Sequence, residues 1–129
     1  MKMSSLSAWL AGLGVLVAVH VGWYVFLNLE RFSEFMMLTT WLSPLAAAFI
    51  ASYFGPSRKI LLGASMSIPA AVLAVLFNFA YQLLGEPVDF PGPNGGVILF
   101  FVTLAYASAL SIVGAYLGYA CTKGSDTKI

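Results

Sequence analysis

Apolar residues run along this chain in four long stretches, from about Leu6 to Leu29, Phe35 to Phe54, Ile60 to Leu84, and Val97 to Cys121. A helix that crosses a bilayer needs about 20 such residues. None of the four stretches contains Asp, Glu, Lys or Arg. A transmembrane barrel strand would instead alternate apolar and polar positions over ~10 residues. The pattern predicts an all-α integral membrane protein, with four transmembrane helices in one bundle and residues 1–129 as a single domain. The apolar run that opens the chain is too long for the 7–15-residue core of a signal peptide, and Val19-His20-Val21 makes no small-residue cleavage site. It is read as an uncleaved first span.

Each predicted span carries small or weakly polar residues at steps of three and four, which share one face of a helix. They are Gly14, Ala18 and Gly22 in the first span and Thr40, Ser43, Ala47 and Ala51 in the second. The third has Ser67, Ala71, Ala74, Asn78 and Gln82, and the fourth has Thr103, Ala107, Ser111, Gly114 and Gly118. In lipid, helices associate where small side chains let backbones approach and where polar groups bond across. Gly14, Ala18, Gly22, Gly114 and Gly118 are therefore the expected packing or interface positions. Pro44 and Pro69 lie inside spans, and each removes a backbone donor and crowds the carbonyl four residues earlier. Both are expected to kink their helices.

Composition agrees with this picture and narrows it. The chain is 60% hydrophobic and 9% charged, against about 25% charged in an ordinary soluble domain. A soluble globular domain, a disordered chain and a nucleic-acid-binding domain all need charge that is missing here. One cysteine excludes a disulfide framework. The charges that exist fall at span ends and in short connections. Lys2, Arg58, Lys59, Lys123 and Lys128 lie on one side and Arg31 on the other. The excess of Lys and Arg in cytoplasmic loops then puts both termini in the cytoplasm, in a plasma (inner) membrane.

Candidate chemistry is sparse. His20 is the only histidine and the only side chain in the spans with an ordinary pKa near neutrality. His20, Tyr24 and Asn28 step by four along the first span, so that span has a polar face beside its small one. Asn78 and Gln82, Thr40 and Thr103 enter the bundle from the same half of the membrane. Together these residues are candidates for a polar cavity or an interhelical hydrogen-bond cluster. The connection from Gly85 to Gly96 is rich in Gly and Pro and carries Glu86, Asp89 and Phe90, candidates for an outer-loop contact. No intramembrane carboxylate pair, phosphate loop or metal-binding cluster is visible, so no catalytic residue, cofactor or metal is expected.

Two functional expectations follow. The first is an accessory, assembly or modulatory subunit without catalysis of its own, bound to another membrane protein; besides the lipid bilayer, the expected partner is another membrane protein or, in a homo-oligomer, the chain itself. A first span with two ordered faces and so little candidate chemistry favours it. The second is a small-solute or ion transporter or channel, working as an oligomer with a polar cavity in the outer half of the membrane.

Overall fold

The computed structural model describes the backbone of residues 4–28, 34–85 and 92–122, and their side chains except those of residues 23–28, 34–40 and 93. All regular structure among the described residues is helical: α1 (Ser5–Asn28), α2 (Glu34–Phe54), α3 (Lys59–Ala64), α4 (Ser67–Leu83) and α5 (Gly92–Cys121). Three stretches are long and apolar enough to cross a membrane: Ser5–Gly22, Lys59–Leu83 (α3 and α4 end to end) and Asn94–Cys121. α2 adds a shorter apolar stretch, Trp41–Phe54.

The third apolar stretch is not one kinked helix. It breaks at Ser65 and Met66, four and three residues before Pro69. Pro69 has no N–H to offer Ser65, and its ring crowds the Ser65 carbonyl. The chain answers by tightening the turn ahead of the proline. Met66 N–H donates to Gly63 O at 3.0 Å, and Ile68 N–H takes the Ser65 carbonyl at 3.2 Å. The i→i−4 pattern resumes when Ala70 N–H reaches Met66 O at 3.2 Å. Pro44 behaves differently: α2 runs through it without a break, with its ring fully buried.

α2 is the central element. It packs against α1 on one side and against α5 and α3 on the other, while α4 lies mainly on α5 and only grazes α1. The core explains the closeness of these helices. Among the described residues its fully enclosed part is Ala47, Ala48, Ala51, Ala70, Ala107 and Ala115 with Leu16 and Met66, and Trp9, Val15, Ile60, Leu62 and Leu73 pack against it half-buried. Small residues at interfaces let helix backbones meet, which is how helices associate in lipid. Large apolar side chains point outward instead, including Leu6, Leu10, Leu76, Phe79, Phe101, Ile112 and Val113. An inside of alanine and an outside of leucine and phenylalanine suits a hydrocarbon solvent, where burying apolar bulk gains little.

The close approach of α5 to α2 depends on glycine. A Cβ at Gly114 would run into the backbone of Leu45, and one at Gly118 would come 2.7 Å from the Phe49 carbonyl oxygen and 3.0 Å from Ser52 Cβ. The Gly114/Gly118 pair is thus the seam between α5 and α2. The rest of that predicted stripe, Thr103, Ala107 and Ser111, is buried as well.

Candidate functional site

The small stripe of α1 is not seated inside the chain. Gly14 and Ala18 are exposed, Gly22 is half-buried, and among the described residues a Cβ on either glycine would meet nothing within 4 Å. The face of α1 that enters the fold is Ala8, Gly12 and Leu16, all buried. A Cβ at Gly12 would come 2.7 Å from the Ala47 carbonyl oxygen. At about 100° per residue, Gly12 and Gly14 lie some 200° apart, so one face is seated on α2 while the other is left open. The signal for the seated face was present in the sequence as Ala8-x-x-x-Gly12, a small-residue step of the same kind. Two overlapping small stripes on one helix leave open which of them packs inside the chain.

His20 continues the seated face, four residues beyond Leu16. Its Nδ1 lies 2.8 Å from the Leu16 carbonyl oxygen. A carbonyl only accepts, so Nδ1 is the donor and the neutral ring keeps Nε2 as an acceptor. The imidazole rests against Phe77 of α4, with ring centroids 5.4 Å apart at 44°. Phe77 meets Tyr81 in turn, at 6.3 Å and 62°. His20 therefore marks the place where α1 touches α4, held by its own helix and an aromatic ring.

Asn78 and Gln82 are brought together, but away from His20. Both line a cleft of about 460 Å³ between α4 and α5, with Val75, Phe79, Gly96 and Phe100 among its walls. Gln82 Oε1 accepts the Gly92 N–H at 2.9 Å. That bond satisfies a donor at the start of α5, where helix N–H groups lack intrahelical partners. Thr103 is buried and does not line this cleft. The side chains of Tyr24, Asn28 and Thr40, and the loop residues Glu86, Asp89 and Phe90, lie outside the described residues. Among the described residues, no group of three or more His, Cys, Asp or Glu could hold a metal ion.

Two polar arrangements escaped the sequence reading. Lys59, expected in a short connection between spans, is 1% exposed. Its Nζ donates to Ser52 O at 3.2 Å and Tyr53 O at 3.1 Å. These are carbonyls of the last turn of α2, where a cation is favoured by the negative end of the helix dipole. Arg58 beside it adopts φ 48°, which turns the chain sharply enough to bring Lys59 back under α2. Ser52 itself donates to Ala115 O at 2.6 Å, so the end of α2 is bonded to both α3 and α5. The second arrangement centres on the helix break. Trp9 Nε1 donates to Ser65 Oγ at 3.0 Å, and Ser65 Oγ donates to Leu62 O at 2.6 Å. The turn ahead of Pro69 is thereby latched to α1. The sequence offers only a Trp near one span end and a Ser four residues before a proline; nothing there says that they meet.

No protein-family model matches the chain, and no curated protein or solved structure matches it either.

Proposed function

We propose that this chain is a four-span protein of the plasma (inner) membrane, with both termini in the cytoplasm and α2 as its second span. It acts as an accessory, assembly or modulatory subunit bound to another membrane protein, without catalysis of its own. The observation that carries this reading is the open face of α1. Gly14 and Ala18 are exposed, and no described residue comes within 4 Å of a Cβ built on Gly14 or Gly22. Lipid chains gain little from a small-residue surface, whereas a second helix gains close backbone contact. Two other glycine faces are already covered, that of Gly12 and that of Gly114, both by α2. The test is native purification in mild detergent: a subunit comes out in fixed stoichiometry with a companion membrane protein, and a chain that emerges alone as a homogeneous homo-oligomer overturns the reading.

The second reading, a transporter or channel, draws on Asn78 and Gln82 sharing the α4–α5 cleft. It requires solute flux from the purified protein in liposomes and a changed pH dependence in His20→Ala. Reconstituted protein that moves nothing removes it.

A further inference from the structure

The α4–α5 cleft has a direction. Gln82 and Gly92 stand at one end, beside the connection between the two helices, and Val75 and Phe101 stand at the other. From Gln82 to Val75 is about 10 Å along α4, and from Gly92 to Phe101 about 14 Å along α5, at ~1.5 Å per residue. That length matches most of one leaflet, since half of a hydrocarbon core of about 30 Å is about 15 Å. The polar end holds the Gln82 carboxamide, whose oxygen is taken by Gly92 N–H and whose nitrogen carries donors that carbonyl or phosphate oxygens accept. Apart from Asn78, the side chains of the remaining walls are apolar.

The rim shows what the cleft opens onto. Leu76, Phe79, Val97 and Phe101 are 57, 59, 57 and 63% exposed. In a chain whose helices cross a bilayer these side chains face hydrocarbon, so the mouth opens sideways into lipid rather than into water. A partner helix fits poorly there, because bulky rims hold its backbone away, and close helix pairs prefer small residues. A flexible chain with a polar end fits the volume, the length and the polarity gradient together.

We infer that this cleft is a binding groove for one acyl chain of a bilayer phospholipid, its glycerol ester or phosphate oxygens accepting from the Gln82 amide. The inference rests on the membrane reading and goes beyond the proposed subunit role. Gly96 is the wall position that tests it, since a Cβ there meets only Val75 Cγ1 at 3.9 Å. Space remains for a larger side chain to fill the groove.

The experiment uses the full chain in phosphatidylcholine vesicles doped with phosphatidylcholine carrying a photoactivatable acyl chain. Carbonate extraction comes first: a chain that is extracted overturns the membrane reading and this inference with it. After illumination, peptide mapping is expected to show adducts on Val75–Phe79 and Val97–Phe101 several-fold above those on Val17 and Val21, exposed positions of α1. Gly96→Leu is expected to abolish the excess, and Gly14→Leu to leave it intact. A membrane-integrated chain labelled evenly over its exposed faces overturns the groove alone, as does an excess that survives Gly96→Leu. Should Gly96→Leu fail to fold, the wild-type map decides between a concentrated and an even pattern.

Discussion

At the scale of single residues, glycine and lysine hold the close contacts of this fold. Gly114 lies directly on the backbone of Leu45, and backbone cannot swing aside as a flexible side chain can. Gly114→Val therefore forces α5 away from α2, and overpacking of this kind costs about 1–3 kcal/mol. Gly14→Val, with nothing within 4 Å of its Cβ, is expected to leave the stability of the isolated chain nearly unchanged. Denaturant titration in detergent micelles compares the two. Lys59 makes a second test. Its ammonium satisfies two carbonyls at the end of α2 while its stem is buried. Lys59→Met keeps an unbranched apolar stem but removes the charged donors, and hydrogen bonds to charged groups contribute about 1.5–3 kcal/mol. The expected result is a loss of that order in the same titration, with wild-type stability in the variant as the contrary outcome. The glycine's role is written in the sequence as part of a small-residue stripe, but the lysine's is not. Arg58-Lys59 reads as a basic pair in a short cytoplasmic connection, and only the left-handed turn at Arg58 returns the lysine to the helix end.

At the scale of elements, the outcome was legible where one pattern dominated and obscure where two competed. α5 has a single stripe from Thr103 to Gly118, and that stripe is its buried face. α1 has two small stripes, and which of them seats on α2 depends on the shape that α2 presents, information that lies outside α1. The third apolar stretch shows a different limit. A proline predicts a disturbance near the carbonyl four residues earlier, but whether the helix bends or breaks depends on what can satisfy the groups set free. α2 runs through Pro44 without interruption. Ahead of Pro69, tight turns and the Trp9–Ser65–Leu62 relay make a break tolerable. Trp9→Phe keeps the ring and removes the donor. It is expected to destabilise the docking of α1 by about 0.6–2 kcal/mol, the range for polar bonds between helices in membranes. Hydrogen exchange should then rise at the amides of Ser65 to Ile68, and unchanged exchange there would contradict the latch.

At the scale of the whole molecule, the distribution of side chains is inverted relative to a water-soluble domain, with alanine and glycine at the centre and leucine, valine and phenylalanine outside. The helical class and the apolar stretches follow directly from the hydropathy of the sequence, because a backbone in lipid must satisfy its own hydrogen bonds. The assembly of the candidate cavity did not follow, since it depends on helix rotation: Asn78 and Gln82 turn toward α5, while His20 meets Phe77. Orientation is testable with the chain's own chemistry. Cys121, the single cysteine, is exposed at the end of α5. In intact cells it is expected to resist a membrane-impermeant maleimide and to react after permeabilisation; labelling of intact cells would reverse the proposed topology. The open face of α1 is tested by removing its small residues and asking whether a companion is lost. Wild-type and Gly14→Leu/Ala18→Leu chains are purified from native membranes in mild detergent, and the mass and composition of each complex are determined. The account predicts a companion membrane protein in fixed stoichiometry with the wild type, lost from the double variant although that chain remains folded. A wild-type chain that purifies as a homogeneous species without a companion, or a companion retained by the double variant, would contradict it.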